Sequence, residues 1–108
     1  MRSLNRYKGK IAEEKAAQFL KQKGFKIVAK NFYCKGGEID IIAYKDDIFH
    51  FIEVKSGKDG IYNITPKKIS RLLKCINYYI LKNNISTAYV LDAIIVNEEI
   101  ELIENITL

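Results

Sequence analysis

The chain has 108 residues, of which 48% are hydrophobic. That suffices for one core without metal or disulfide staples and is too little for a second, so residues 1–108 are expected to form a single domain. Its net charge of +5 is unevenly spread: through residue 35 ten Lys/Arg stand against two Glu, a net of +8, whereas the remainder carries eight against eleven, a net of −3.

No apolar stretch approaches the roughly 20 residues that span a bilayer, and the basic start Met1-Arg2-Ser3-Leu4-Asn5-Arg6 leads into no apolar signal segment. Membrane insertion and secretion are therefore not expected, and a cytoplasmic location is. Cys34 and Cys75 have no CxxC spacing and no second pair with which to build a zinc site. They are read as reduced thiols that serve as small apolar residues.

In chain order, Ile11 to Lys23 is predicted to be a helix, because Ala12, Ala16, Phe19 and Leu20 recur at helical spacing and Gly24 stops them. The basic approach, Arg6 to Lys10, is either a frayed first turn or an arm. Phe25 to Phe32 reads as a strand and Lys35-Gly36-Gly37 as a turn. Next come two apolar runs, Glu38-Ile39-Asp40-Ile41-Ile42 and Ile48-Phe49-His50-Phe51-Ile52, the second ending in Glu53-Val54-Lys55. Around the polar tip Lys45-Asp46-Asp47 they read as a hairpin of two buried strands. Ser56 to Asn63 is a polar loop. Thr65-Pro66 then supplies a helix N-cap and a proline at the first helical position. The helix runs to about Lys82 and buries Ile69, Leu72, Leu73, Ile76 and Ile80. Ala88 to Val96 is an apolar strand interrupted only by Asp92, and Ile100 to Ile106 forms a short last strand or a turn. The order α, β, β, β, α, β and a tail predicts an α/β fold with a mixed sheet flanked by helices.

The hairpin is informative because its buried strands carry charges, which are costly unless paired or used. Alternation along a strand puts Glu38 and Asp40 on one side of the first, and Glu53 and Lys55 on one side of the second, together with Phe49 and Phe51. If the strands pair, three carboxylates and an ammonium converge. An independent indication comes from the first helix. At 100 degrees per residue and with Ala16 at the centre of the buried face, Leu20 lies at about 40 degrees, Glu13 at about 60 and Glu14 at about 160. Glu13 thus faces the core and Glu14 faces water. A lysine partner at the edge of the apolar stripe is the structural alternative for Glu13, and an exposed ion pair is the alternative for Glu53 and Lys55.

The series Glu13-x-x-Ala16-x-x-x-Leu20-x-x-x-Gly24, Asn31, Gly37-Glu38-Ile39-Asp40, Glu53-Val54-Lys55, Thr65-x-x-Lys68 and Asp92 resembles the YraN-like family of small bacterial proteins. That family is similar to the PD-(D/E)XK nuclease superfamily and, within it, to archaeal Holliday junction resolvases. The resemblance covers about Gly9 to Asn105 and implies a restriction-endonuclease-like αβββαβ core. It further implies a metal-dependent endonuclease, with Glu13, Asp40, Glu53 and Lys55 as catalytic residues. Where related sequences carry threonine and arginine after Glu-Val-Lys, this chain has Ser56-Gly57.

Chemistry assigns these residues roles. Asp40 and Glu53 offer hard oxygen ligands for Mg²⁺ or Mn²⁺, Glu13 completes that shell directly or through water, and Lys55 orients the attacking water or offsets phosphoryl charge. Glu38 is either a start of strand or a support for Asp40. The basic first third, including Lys8, Lys10 and Lys35 and with Tyr7 and Tyr33 among its lysines, suits a polyanion such as DNA, while lysines that merely confer solubility are the alternative. Lys68 and Arg71 on the second helix are expected to contact phosphate or to form a solvated face. His50 is expected to be packed or hydrogen-bonded, and Asp92 to be either a late acidic partner or the partner of a lysine. The expected function is Mg²⁺-dependent hydrolysis of DNA, branched or single-stranded, by a homodimer if the substrate is a two-fold junction. A catalytically silent nucleic-acid-binding or interaction module on the same fold is the competing expectation.

Overall fold

In the computed structural model, which describes the backbone of residues 2–107 and the side chains of residues 9–107, the first helix α1 spans Arg2–Gln22. It starts nine residues before the apolar periodicity does. Extending a formed helix costs far less than nucleating one, so a polar segment can continue it. The expected frayed turn or arm at Arg6 to Lys10 is therefore helical backbone, although the side chains of residues 1–8, Tyr7 and Lys8 among them, lie outside the described residues. Gly24 adopts φ +90°, and the Phe25 N–H donates to the Leu20 carbonyl at 3.0 Å, which closes the helix in a Schellman turn.

Strand β1 (Lys26–Cys34) leads through Lys35-Gly36 into β2 (Gly37–Lys45), and β2 returns as β3 (Ile48–Ser56). Asp46 and Asp47 both take positive φ, 52° and 64°, the two-residue turn whose twist matches a hairpin. The Tyr44 hydroxyl donates to Asp47 Oδ1 at 2.9 Å and secures that turn. The loop after β3 is more ordered than expected, since Gly60–Asn63 forms a short 3₁₀ turn. Helix α2 (Pro66–Lys82) begins where Thr65-Pro66 predicts, the Thr65 Oγ1 accepting the Lys68 N–H at 3.2 Å. Strand β4 (Ala88–Val96) pairs parallel with β3 over its whole length, and β5 (Ile100–Ile103) closes the sheet antiparallel to β4.

The result is one five-stranded mixed sheet in the order β1-β2-β3-β4-β5, with a helix on each face. The α/β expectation and the restriction-endonuclease-like arrangement agree with it, and β5 is an addition to the αβββαβ order. Ala12, Ala16, Ala17 and Leu20 of α1 pack on Ile41, Ile52, Val54 and Ile94, the alanines letting the helix lie close to the strands. Leu72, Cys75, Ile76 and Tyr79 of α2 pack on Ile39, Ile42, Phe51 and Leu91. Each buried Ile, Leu or Phe contributes about 1.5–3 kcal/mol through its loss of water contact.

Two expectations about individual residues are corrected. Cys34 and Cys75 are joined by a disulfide, with Cα atoms 5.7 Å apart, and are not free thiols. Asp92, fully buried, pairs with no lysine. Its Oδ2 lies 2.6 Å from Nδ1 of His50, and its Oδ1 accepts the Asn105 N–H at 2.9 Å. The parallel register sets Ile52 beside Asp92 and His50 beside Val90, which places the imidazole and the carboxylate on the same face. His50 is thus hydrogen-bonded, as expected, and also lies edge-on to Phe25 at 4.9 Å.

Candidate active site

The hairpin that carries the charged residues is paired for only part of its length. The β2–β3 ladder runs from Lys45↔Ile48 to Ile41↔Ile52 and stops. One residue further on, Asp40 Oδ2 accepts the backbone N–H of Val54 at 2.8 Å, so that a carboxylate replaces a ladder bond. On its other side β2 pairs with β1 through Lys30↔Ile41 and Phe32↔Ile39, skipping Asn31 and Asp40, and Asn31 takes φ 52°. Alternation breaks there as well: Ile41 packs with the α1 cluster, but Ile39 packs with the α2 cluster. Asp40 therefore stands at the crotch of a fork, where groups from both faces of the sheet can meet.

Four acids gather at this fork. Half-buried Glu13 of α1 accepts the Asn31 Nδ2–H at 2.8 Å through Oε1, and the same amide donates to Glu38 Oε1 at 3.2 Å. Carboxylate oxygens of Glu13, Glu38 and Asp40 all lie within 4.8 Å of one another. Glu53, 3% exposed, is the further acid close enough to Asp40 to act on it through its charge and as a hydrogen-bond partner. Burial first, and then the adjacent Glu53 carboxylate, push Asp40 up to about 10, against the lowering effect of the Val54 N–H. At neutral pH this carboxyl keeps its proton because two neighbouring carboxylates cannot both ionise in a site poor in water.

Two lysines answer the acids. Lys68 Nζ of α2 lies 3.0 Å from Glu53 Oε2 as an ion pair, although no well-aligned hydrogen bond reaches that oxygen. Burial depresses Lys55, as does neighbouring Lys68, while Glu53 opposes both. Lys68 is raised: burial works against its charge, but Glu53 more than offsets it. Lys55 is held in place partly by Gly60, where an added Cβ would sit 3.0 Å from Lys55 Cβ and 3.4 Å from Ile95 Cγ2. Gly60→Ala is expected to cost about 1 kcal/mol in chemical denaturation and to shift Lys55, because a backbone that close to two strands has no room for a methyl group. A variant as stable as the wild type would show that the 3₁₀ turn simply moves aside.

The donor set fits a hard divalent cation. Carboxylate oxygens are the ligands Mg²⁺ and Mn²⁺ take, the buried Glu53 Oε2 has an unused acceptor lobe, and the proton trapped on Asp40 is one that a cation can displace.

Glu13, Asp40, Glu53 and Lys55, singled out from the sequence, are thus neighbours in space, with Glu14 exposed as the helix phase requires. Glu38 does more than start a strand, since it is a member of the acidic cluster. Lys68, expected on a phosphate-contacting or solvated face, belongs to the site through Glu53. Lys10, Lys35 and Arg71 are exposed and stand outside the cluster, and Lys8 lies outside the described side chains. Sequence reasoning gave Asn31 no role, yet its amide ties Glu13 to Glu38. An asparagine inside a run of strand residues was the available signal, since asparagine tolerates the left-handed conformation.

Fold and site together define a small α/β protein with a restriction-endonuclease-like core and a forked acidic centre. Residues 12–96 match the uncharacterised protein family UPF0102, and the chain belongs to that family, the YraN-like group its motifs resemble. It is 55% identical over 107 residues to the UPF0102 protein of Helicobacter hepaticus, covering 96% of this chain and 97% of that protein. The UPF0102 protein of Aliarcobacter butzleri is 51% identical over 110 residues, with 97% and 100% covered, and that of a Sulfurovum species is 44% identical over 113 residues, with both chains fully covered. Among the described residues no helix is long and apolar enough to cross a membrane.

Proposed function

We propose that this protein is a metal-dependent nuclease that hydrolyses phosphodiester bonds in DNA at the forked end of the β2–β3 hairpin. The observation that carries the reading is the contact between two buried carboxylates, Asp40 and Glu53, with the ammonium groups of Lys55 and Lys68 beside them. Such an arrangement costs folding free energy in the absence of a ligand, and a structural role alone gives no reason to hold two acids together.

Asp40 and Glu53 would hold Mg²⁺ or Mn²⁺, with Glu13 and Glu38 completing the shell directly or through water. The ion would supply Lewis acidity toward the phosphate and acidify a water molecule. The chain's own groups do the rest. Lys55 sets positive charge where the pentavalent phosphorus gathers negative charge. Lys68 restrains the Glu53 carboxylate, and Asn31 fixes the relative position of Glu13 and Glu38. Water adds to phosphorus and gives up a proton, the bond from phosphorus to the leaving oxygen breaks, and that oxygen takes up a proton to leave as an alcohol.

The test is incubation of purified protein with labelled duplex, single-stranded and four-way DNA and with RNA, with Mg²⁺, with Mn²⁺ or with chelator. Cleavage is expected with either metal and not with chelator, and Lys55→Ala is expected to slow it about 10²- to 10³-fold, the usual cost of removing one donor that stabilises transition-state charge. Cleavage that persists unchanged in Lys55→Ala points to a contaminant. Nucleic-acid binding without cleavage of any substrate instead favours a catalytically silent module.

A further inference from the structure

A second feature lies beside the acids and takes no part in the chemistry above. Tyr33, at the end of β1, is 71% exposed, and Tyr78, on α2, is 52% exposed, a high exposure for two large rings on so small a protein. They form two walls of a surface groove of about 530 Å³, completed by Cys34, Lys35 and Lys74. The lining includes two ammonium groups and no carboxylate, in contrast to the acidic fork next to it. Its floor is fixed, because Cys34 is cross-linked to Cys75 on α2. The Tyr78 ring is held by offset stacking on Phe32, with centroids 6.2 Å apart and planes 30° apart, and Lys82 Nζ lies 5.8 Å from its centroid.

The groove borders the acidic fork at one residue pair. Tyr33 is the cross-strand partner of Glu38, and the Glu38 carboxylate holds the Tyr33 hydroxyl above its ordinary range. A polymer lying in the groove would thus run beside the fork.

We infer that this groove receives an unpaired strand of nucleic acid, with bases stacked on Tyr33 and Tyr78 and phosphates facing Lys35 and Lys74. The inference rests on the nucleic-acid reading of the acidic fork and names the kind of substrate that fork receives. In a duplex each base is covered on both faces by its neighbours and offers nothing to a tyrosine ring; an unpaired strand presents those faces. Aromatic platforms alternating with cationic groups are the physical requirement for holding such a strand without reading its sequence. The substrate class that follows is a strand with unpaired nucleotides next to the bond to be cut, free-standing or at a branch.

The experiment measures binding of labelled oligothymidylate, and of its duplex with oligoadenylate, by fluorescence anisotropy in chelator, where cleavage does not enter. Tyr33→Ala and Tyr78→Ala are each expected to weaken single-strand binding about 5- to 100-fold, the range for loss of one base–aromatic stack. Tyr33→Phe and Tyr78→Phe keep the ring and are expected to remain within about twofold of wild type, as is duplex binding by all four variants. Thermal melting of each variant confirms that it is folded. Loss in the phenylalanine variants equal to that in the alanine variants, equal loss for duplex, or no loss in either alanine variant overturns the inference. A protein that binds the single strand in this pattern and never cleaves it upholds the groove and sinks the nuclease, so the two readings fail separately.

Discussion

Asp40→Asn is expected to abolish DNA cleavage while making the metal-free protein more stable. The rate should fall by about 10³-fold or more, because the neutral amide lacks the negative charge that binds the cation tightly. Stability should rise because the substitution relieves a conflict. Asparagine is nearly isosteric, its carbonyl oxygen can still accept the Val54 N–H, and its amide can donate to Glu53. The sign follows from proton linkage. Below about pH 4 the Asp40 carboxyl is protonated in folded and unfolded chains alike and has no effect on stability. Above that the unfolded chain gives up a proton that the folded chain keeps to about 10, so wild-type metal-free stability declines as pH rises through this window. The variant lacks the decline. Its advantage should be near zero at pH 4 and widen steadily up to pH 8, where it is read as a Tm above that of the wild type. Mg²⁺ should narrow the gap: at about 100 times its dissociation constant it adds about 2.7 kcal/mol to the wild type. Calorimetric melts at the two pH values, with and without Mg²⁺, give all four comparisons. A variant less stable than wild type at pH 8 without metal would refute the repulsion assigned to Asp40 and Glu53.

Asp92→Ala has the largest expected effect on stability. The carboxylate is fully buried, with His50 on one oxygen and the Asn105 N–H on the other. Truncation leaves the imidazole and a backbone donor without their partner and opens a cavity between β3 and β4, at a cost of about 3–5 kcal/mol. Because Ile106 also bonds Leu91 at 2.8 Å, the segment after β5 is expected to detach first, which would be visible as faster amide exchange at Asn105 and Ile106. Cleavage per folded molecule should be retained, since Asp92 is not among the acids of the fork. A urea midpoint equal to that of the wild type would show that water replaces the carboxylate without loss.

What could be seen in the sequence was whatever depends on local periodicity. Thr65-Pro66 marked the start of α2, the unbroken apolar run Ala88 to Val96 coincided with β4, and a 100-degree count along α1 distinguished Glu13 from Glu14. Strand alternation put Glu53 and Lys55 on one side before any pairing was known, whereas Glu38 and Asp40 come together at a break in alternation that the sequence pattern does not show. What escaped depends on contacts between distant residues. The partner of Asp92 is set by a parallel register with β3, which no local pattern encodes. Lys68 reaches Glu53 only because of how α2 docks on the sheet, and the Cys34–Cys75 pairing joins residues 41 apart in sequence. Asn31 could be named as part of a motif, but its function arises from a left-handed backbone inside a strand, at a position the β1–β2 ladder skips.

The Cys34–Cys75 bond also makes a ring of the chain between those residues. Glu38, Asp40, Glu53, Lys55 and Lys68 all lie on this ring, and of the residues gathered at the fork only Glu13 and Asn31 lie outside it. A ring of that size restricts the unfolded ensemble by about 4 kcal/mol on a chain-entropy basis. Topologically, a single cut in the exposed stretch Ser56 to Asp59 would open the ring without separating it into two molecules, so β2 and α2 would stay tethered after such a nick.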